Sequence, residues 1–261
     1  MRSRLVEPTT AQILAYCAES PVERVFLEDV ARRGNGRFAA VERPDGDLQA
    51  LCHLGTNVVP SGSGCGAFAE VAERASPRML IGEQEAVTDL WESARRRLGK
   101  PREDRRSQPV YVSTTPPEPG GTGLRPATRE DLDLLVPACA KAHYEELGVD
   151  PLRRDANGFR WRTRVQVEEH RSWVWIEDGV ILFKAEASAW TPDAVQLQQV
   201  WVDPPARGQG NGSRALRDLI RLLLAHVPSV CLFVRAENAP ALRLYDSIGM
   251  RHVLDYRSVL F

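Results

Sequence analysis

The 261-residue chain contains only three lysines, Lys100, Lys141 and Lys184, although lysine and arginine together number 34. The excess of arginine is interpreted as compositional background. The formal net charge of the chain is only -1, so no global electrostatic field attracts the protein to nucleic acid or to an anionic membrane surface. We therefore expect neither a nucleic-acid partner nor a membrane partner.

Cysteines and long apolar runs are also scarce. The five cysteines are scattered and form no C-x-x-C pair, which argues against a zinc site and against a disulfide framework. No stretch is apolar over the roughly 20 residues that a membrane-spanning helix needs. The N-terminal segment MRSRLVEPTTAQ lacks the apolar core of a signal peptide. The sequence thus predicts a cytoplasmic protein with no metal site.

Glycines, in contrast, are concentrated in the segment RGQGNGS at residues 207–213, between an apolar, β-rich segment and an amphipathic helical pattern. The first N–H groups of a helix have no internal partner, and the helix dipole favours an anion there. A P-loop is excluded because no lysine follows these glycines. A dinucleotide-binding G-x-G-x-x-G motif fits only Gly208 and Gly210, since Ser213 stands at its third position.

A second motif spans residues 238–250. It follows the segment VCLFV at residues 230–234, and that segment is typical of a short buried strand. Asn238 suits the N-cap of a helix, Pro240 is tolerated in a first turn, and Gly249 suits a C-terminal stop. The pattern therefore predicts a short capped helix that carries Tyr245.

Together the two motifs resemble the GNAT family (GCN5-related N-acetyltransferases). Residues 207–212 resemble the family's Q/R-x-x-G-x-G/A loop, and residues 238–250 resemble its N-x-x-A-x-x-x-Y-x-x-x-G-F segment except at Met250, where phenylalanine is usual. The resemblance implies acetyl-CoA (coenzyme A) as the cofactor. It also implies a set of cofactor-binding residues: Val200, Val202, Arg207, Gly208, Gln209, Gly210, Asn211, Gly212, Ser213 and Asn238.

A proline- and glycine-rich segment at residues 113–126, STTPPEPGGTGLRP, predicts a linker. Downstream, the pattern predicts two helices near 128–147 and 155–170, three strands, a helix, a strand, a helix and a closing strand near 256–260. Residues 1–115 repeat this order, which indicates a tandem duplication. Their segment PSGSGC at residues 60–65 lacks the leading Arg/Gln spacing, and no Asn-to-Tyr helix follows.

The expected fold is thus α/β (α+β), with two tandem GNAT-like domains that each contain a mixed, mostly antiparallel sheet flanked by helices. Residues 1–115 would form a degenerate, non-catalytic copy and residues 124–261 the catalytic domain. The whole chain resembles two-domain actinobacterial GNAT proteins whose N-terminal domain is uncharacterised. The N-terminal copy is expected to pack against the catalytic domain and to shape the acceptor side.

The resemblance implies that an amine attacks the thioester directly in a ternary complex. Tyr245 is the expected general acid, because a phenol with a pKa of about 10 can protonate a departing thiolate. A backbone N–H near Val200 is expected to stabilise the developing oxyanion.

The identity of the general base is the part of the mechanism that the sequence defines least. The family's usual glutamate position holds Gln196, and Gln198 on the same strand face cannot act as a base either. Glu186, which shares a strand face with Lys184, is the candidate base; a purely structural Lys184–Glu186 contact and a water chain are alternatives. Three more candidates end the first helix of this half: His143, Glu145 and Glu146.

The sequence therefore predicts an acetyl-CoA-dependent N-acetyltransferase that acts on a small amine or on a protein lysine. An acyl-CoA-binding regulatory or scaffolding module without turnover is the alternative, and the missing carboxylate at Gln196 supports it. A nicotinamide-dependent oxidoreductase is a distant third interpretation. The oligomeric state is left open, with a homodimer among the options.

Overall fold

The computed structural model describes residues 4–261. In the N-terminal half, one turn of 3-10 helix at Cys65–Phe68 precedes the third α-helix. The elements of this half are β1 (Arg4–Val6), α1 (Thr10–Ala18), α2 (Val25–Arg32), β2 (Phe38–Glu42), β3 (Leu48–Leu54), β4 (Asn57–Gly62), α3 (Ala69–Ala75), β5 (Met79–Glu83), α4 (Gln84–Leu98) and β6 (Glu103–Ser113).

The C-terminal half repeats this order of helices and strands, so the expected tandem architecture is confirmed. Its elements are β7 (Arg125–Pro126), α5 (Leu132–Leu147), α6 (Pro151–Glu168), β8 (Ser172–Glu177), β9 (Val180–Trp190), β10 (Ala194–Val202), α7 (Asn211–Leu224), β11 (Ser229–Phe233), α8 (Ala239–Ser247) and β12 (Arg251–Leu260). No helix within the described residues is both long enough and apolar enough to cross a bilayer.

All strands join in one 12-stranded sheet with the order β1-β2-β3-β4-β5-β12-β6-β11-β10-β9-β8-β7. The last strand of each half lies beside the other half: β12 pairs with β5, β6 pairs with β11, and β6 and β12 pair with each other. Each half is therefore completed by a strand of the other half. The boundary between residues 115 and 124 stays a prediction.

Local capping explains where several helices begin. Thr9 and Gln12 form a reciprocal capping box at the start of α1, and Thr128 and Asp131 form another before α5. Asp150 caps α6 by accepting a hydrogen bond from the backbone two residues on. Each such cap is worth about 1 kcal/mol of stability.

Three predicted boundaries differ from the structure. Helix α6 begins at Pro151 rather than at Asp155, and it bends at Asp155, whose backbone (φ -160°, ψ 78°) leaves the helical region. Strands β6 and β12 both begin earlier than the sequence indicates. They are longer because they pair with each other along most of their length, and local periodicity does not encode a pairing between halves.

Helix α7 is anchored by its apolar face. Leu216, Leu219, Ile220 and Leu223 recur at helical spacing and are all fully buried in the main core of the C-terminal half. Burial of each side chain contributes about 1.5–3 kcal/mol. This packing fixes the start of the helix, and with it the glycine loop, relative to the sheet.

The two halves also meet through α2, which packs on β9 and β10. Next to this contact, Arg171 donates two hydrogen bonds to Asp29, at 3.1 and 2.7 Å, and Arg33 lies 2.7 Å from Glu169. The side chains of Arg171 and Asp29 are only 10% and 8% exposed. Arg33 also lies 3.3 Å from Asp29, and Arg171 lies 3.6 Å from Glu169, so the four side chains form one ion-pair network between the halves.

The predicted linker has no regular structure between β6 and β7, yet it is held against α7. The carboxylate of Asp218 accepts hydrogen bonds from the backbone N–H of Gly120 and Thr122, at 2.7 and 2.8 Å. Arg214 donates to the carbonyl oxygens of Gly120 and Gly121. The segment is thus a docked connection rather than a free tether.

Candidate active site

The glycine loop leads directly into α7, as the sequence predicts. Gly208 and Gly210 have φ values of 76° and 79°, a region that favours glycine, and Gly210 is the N-cap of the helix. Gln209, Asn211 and Ser213 donate side-chain hydrogen bonds to backbone carbonyls of the same segment, at 3.0, 3.1 and 2.9 Å. Within residues 4–261, no acceptor meets the backbone N–H groups of residues 208–213.

The loop glycines serve two different purposes. A Cβ at Gly208 or Gly210 would meet no atom within 4 Å, so these positions face open space. A Cβ at Gly212 would lie 3.1 Å from both Leu244 and Val202, so this glycine allows α7 to approach α8 and β10. Donors, dipole and open space together fit an anionic group such as a pyrophosphate.

Strands β10 and β11 separate beside this loop. They pair in parallel only at residues 194–196 of β10 and then diverge. On the other side of β10, a bulge interrupts the register with β9, so Gln199 and Val200 have no register partner on either neighbour. Gln199 adopts a φ of 52° there. Val200 and Val202 therefore lie along a splayed strand edge, where the family resemblance expects the pantetheine arm.

Arg207, the first residue of the predicted motif, turns its side chain towards α5. Its guanidinium donates to Glu145, at 2.9 and 2.7 Å, and to the carbonyl of Val202, at 3.0 Å. The indole of Trp201 also donates to Glu145, at 3.3 Å. Arg207 thus links the end of β10 to the end of α5 and holds the entrance of the loop.

The gap between the diverging strands forms a cavity of about 230 Å³. Tyr245 and Asn238 both line it. Tyr245 is 6% exposed, its ring lies 5.4 Å from that of Tyr111, and burial, with a smaller effect of Tyr111, raises the pKa of its phenol. Asn238 caps α8 by accepting from Ala241, at 3.3 Å, which is the capping role predicted for it.

The position where the family usually has a glutamate is tied into the sheet. The amide of Gln196 donates to the hydroxyl of Ser188, at 2.8 Å, and that hydroxyl donates to the carbonyl of Gln196, at 3.1 Å. Gln196 and Gln198 both line the larger cavity described below. The structure thus provides two carboxamides but no carboxylate along this part of β10.

Glu186, the candidate base, lies on β9 beside a buried cation. Its Oε1 atom accepts from Nζ of Lys184, at 2.7 Å, and from Sγ of Cys139, at 3.2 Å. Burial disfavours the charge on Lys184, but Glu186 outweighs it and raises the pKa of the ammonium. Burial likewise raises the pKa of Cys139 to about 12, so the thiol stays protonated and donates. The Lys184–Glu186 contact considered from the sequence is therefore present.

A cavity of about 960 Å³ lies between the two halves and adjoins the smaller one. Gln198, Gln199 and Phe233 line both cavities. The N-terminal half contributes part of the wall. Its contributing residues include Glu23, Phe26, Asn57, Arg78, Met79 and Gln108.

The three candidate side chains at the end of α5, His143, Glu145 and Glu146, make different contacts. Glu145 holds Arg207, whereas His143 and Glu146 line the large cavity. Glu146 accepts from the amide of Gln199, at 2.6 Å. Burial lowers the pKa of the His143 imidazole, so this ring is largely neutral at pH 7.

Sequence reasoning missed the cavity residues that come from the N-terminal half, Glu23 above all. No motif marks them, because they reach the site only through packing between the halves. No group of three or more His, Cys, Asp or Glu side chains in the described part of the chain is arranged to hold a metal ion.

Comparison with known families finds two matches along the chain. Residues 136–250 match the model of the acetyltransferase (GNAT) family, and residues 36–135 match a domain of unknown function, DUF4081. The C-terminal half of the chain therefore matches the acetyltransferase (GNAT) family, which confirms the resemblance seen in its motifs.

Curated relatives cover only part of the chain. A mycothiol acetyltransferase of Acidothermus cellulolyticus is 53% identical over 53 residues, which is 20% of this chain and 16% of that protein. A mycothiol acetyltransferase of a Mycobacterium species is 31% identical over 132 residues, which is 41% of this chain and 44% of that protein. The chain thus matches less than half the length of either relative.

Solved structures resemble the whole chain in fold. A GCN5-related N-acetyltransferase from Kribbella flavida superposes with a TM-score of 0.62 at 14% identity, covering 92% of this chain and 94% of that one. A tandem GNAT protein from the clavulanic acid biosynthesis pathway gives 0.57 at 12% identity, covering 99% and 98%. The fold shared with that protein is the tandem architecture.

Proposed function

We propose that the chain transfers the acetyl group of acetyl-CoA to a primary amine by direct attack within a ternary complex. The observation that carries this proposal is the continuity of three features. Unpaired N–H groups begin α7, the splayed edge of β10 follows, and a large cavity opens beyond Gln198. A thioester bound along the first two would present its carbonyl to an amine in the third.

The coenzyme would be held by backbone groups rather than by charged side chains. The N–H groups of residues 208–213 would receive the pyrophosphate, and the unpaired edge between Gln199 and Val202 would receive the pantetheine arm. Asn238 would contact the coenzyme from the cap of α8. Acetyl-CoA supplies the acetyl group as an activated thioester.

Two groups of this chain would act on the reacting atoms. The N–H of Val200 would donate to the oxygen that becomes negative, an interaction worth about 2.7–4 kcal/mol for one well-placed donor. Tyr245 would give its proton to the departing sulfur. Burial keeps this phenol protonated at neutral pH, which suits a general acid and not a base.

Glu186 is the base candidate on the catalytic half itself. It lines the large cavity, and its Oε2 atom has no hydrogen-bond partner within residues 4–261. Protonation of Glu186 would, however, leave the buried ammonium of Lys184 without its counter-charge. This arrangement favours a role in orienting the amine.

The acceptor would bind between the two halves. A cavity of about 960 Å³ lies in the size range of small-molecule sites, which favours a small amine over the lysine of a folded protein. The curated relatives are named mycothiol acetyltransferases, and their partial alignments support an amine as the acceptor. An acyl-CoA-binding module without turnover is the second candidate, because Gln196 replaces the usual carboxylate.

Amine-dependent release of thiol tests the proposal. Purified protein would be incubated with acetyl-CoA and, separately, with glucosamine, spermidine, lysine and an Ala-Gly peptide, and free thiol would be followed over time. Faster release with at least one amine is the expected result. Coenzyme binding by calorimetry without release from any amine would favour the regulatory module, and NADH binding in place of acetyl-CoA would favour an oxidoreductase.

A further inference from the structure

The carboxylates around the large cavity differ in what they contact. Glu186 is paired with Lys184, at 2.7 Å, and Glu146 accepts from Gln199, at 2.6 Å. At the bend of α6, Asp155 accepts from a backbone N–H, at 2.9 Å, and faces an arginine. The carboxylates that line the cavity are Glu23, Glu146, Asp155 and Glu186.

Glu23 differs from the other three. Its carboxylate has no hydrogen bond or ion pair with any residue that the structure describes. Its backbone carbonyl accepts from the hydroxyl of Tyr256, at 2.7 Å, which fixes the residue against β12. The adjacent Arg24 turns away to the carbonyl of Tyr16 and to Glu19, so it does not neutralise Glu23.

The position of Glu23 is defined by the start of α2. Val25 packs in a small core with Ala194 of β10 and Cys231 of β11. Cys231 is also the register partner of Gln196, the last pair before β10 and β11 diverge. Glu23, two residues before Val25, lines the same cavity as Gln196, whose side chain lies on the sheet face of Ala194.

We propose that Glu23 of the N-terminal half is the general base of the transfer, and that it supplies the carboxylate that Gln196 lacks. The inference rests on the proposed function. Glu23 takes one proton from the ammonium of the acceptor, and the neutral nitrogen then forms a bond to the thioester carbon. The C–S bond breaks as Tyr245 gives its proton to sulfur. A second proton leaves the nitrogen and restores Tyr245, and the proton on Glu23 passes to water.

With this assignment the N-terminal half takes part in catalysis, although that half would bind no coenzyme. The half would contribute one side chain to a site whose other groups lie on β10 and α8. The C-terminal half of this chain alone would therefore lack the base as well as part of the cavity wall.

The test compares Glu23→Gln with the wild-type chain, using acetyl-CoA and the four amines named above. Loss of a general base is expected to lower kcat/KM for the amine about 10²–10⁴-fold, while the Kd for acetyl-CoA stays unchanged. Adding Gln196→Glu to Glu23→Gln restores a carboxylate on the same face, and we expect it to recover about tenfold or more of the lost rate.

Glu19→Gln is the matched control, because Glu19 precedes Glu23 by four residues and its side chain is 65% exposed. It is expected to retain the wild-type rate. An active wild-type chain whose Glu23→Gln variant is equally active would overturn the role of Glu23 alone. A Glu23→Gln variant that loses activity together with its thermal stability, without recovery by Gln196→Glu, would do the same. A wild-type chain that releases no thiol with any amine would overturn the transfer itself.

Discussion

In each half of the molecule, two parallel strands pair briefly and then diverge, and the helical segment that connects them begins at an N-cap glycine. In the N-terminal half, β4 and β5 pair only at Asn57 and Val58 of β4. Glu83 then fills the space between them: its carboxylate accepts from the hydroxyl of Ser61 and from the backbone N–H of Gly62. In the C-terminal half, the corresponding space between β10 and β11 is a cavity of about 230 Å³.

The two halves also differ in what meets the backbone N–H groups at the start of the connecting helix. Gly64 and Gly210 are both N-caps, with φ values of 81° and 79°. In the N-terminal half, the N–H of Gly66 donates to the carboxylate of Asp89, at 3.0 Å, and a Cβ at Gly62 would meet the hydroxyl of Tyr16 at 2.4 Å. The N-terminal half thus satisfies its own donors with its own acids, whereas the C-terminal half leaves its donors for an external anion.

The largest expected effect concerns the phenol that only the C-terminal half places at its gap. Helix α4 contains no tyrosine, so the N-terminal half has no counterpart of Tyr245. Tyr245→Phe is expected to lower kcat about 10²–10⁴-fold because the proton for the departing sulfur is lost. The acetyl-CoA Kd should stay the same, since the ring remains. Steady-state kinetics with calorimetry would check this, and a fully active variant would remove the acid role.

The second prediction asks whether the halves are stable apart. Arg171→Ala leaves the buried carboxylate of Asp29 with Arg33 alone, at 3.3 Å, and the free energy of unfolding is expected to fall by about 1–3 kcal/mol. Arg74→Ala is the control, because Arg74 and its partner Glu70 are 69% and 63% exposed, and its loss should cost about 1 kcal/mol or less. Urea unfolding should show one transition in each case. Two separate transitions would contradict a sheet shared by both halves.

The third prediction uses the two matched N-cap glycines. Gly210→Val is expected to weaken acetyl-CoA binding about tenfold or more, because a side chain there disturbs the loop that presents the N–H groups. Gly64→Val imposes the same backbone strain, about 1–3 kcal/mol, on the N-terminal half and should leave the Kd unchanged. Calorimetric titration of both variants separates strain from binding. Equal losses of affinity would refute the difference between the loops.

The smallest expected effect concerns the internal anion of the N-terminal half. Asp89→Asn removes the charge that meets Gly66 but keeps an oxygen acceptor, and should lower the free energy of unfolding by about 1 kcal/mol or less. No second acetyl-CoA site is expected, because Glu83 and Tyr16 still fill the neighbouring gap. Thermal unfolding and calorimetry would measure both quantities. A second binding event in this variant would show that one carboxylate alone keeps the N-terminal half closed.

Local chemistry explains how much the sequence could predict. The capped start at Thr128, the loop at Gly208–Gly212 and the short helix carrying Tyr245 all follow from residue types at fixed spacing, and the structure places them as predicted. The exchange of β6 and β12 could not be predicted, since strand order depends on contacts far apart in the chain. Glu23 was missed for the same reason: Tyr256, which donates to its carbonyl, lies more than 150 positions away.

The central claim is that one half binds the coenzyme and the other half has closed the same site with its own acids. Calorimetric titration of acetyl-CoA into the wild-type chain measures this directly through the stoichiometry. The account predicts one molecule bound per chain. Two molecules per chain, or none, would contradict it.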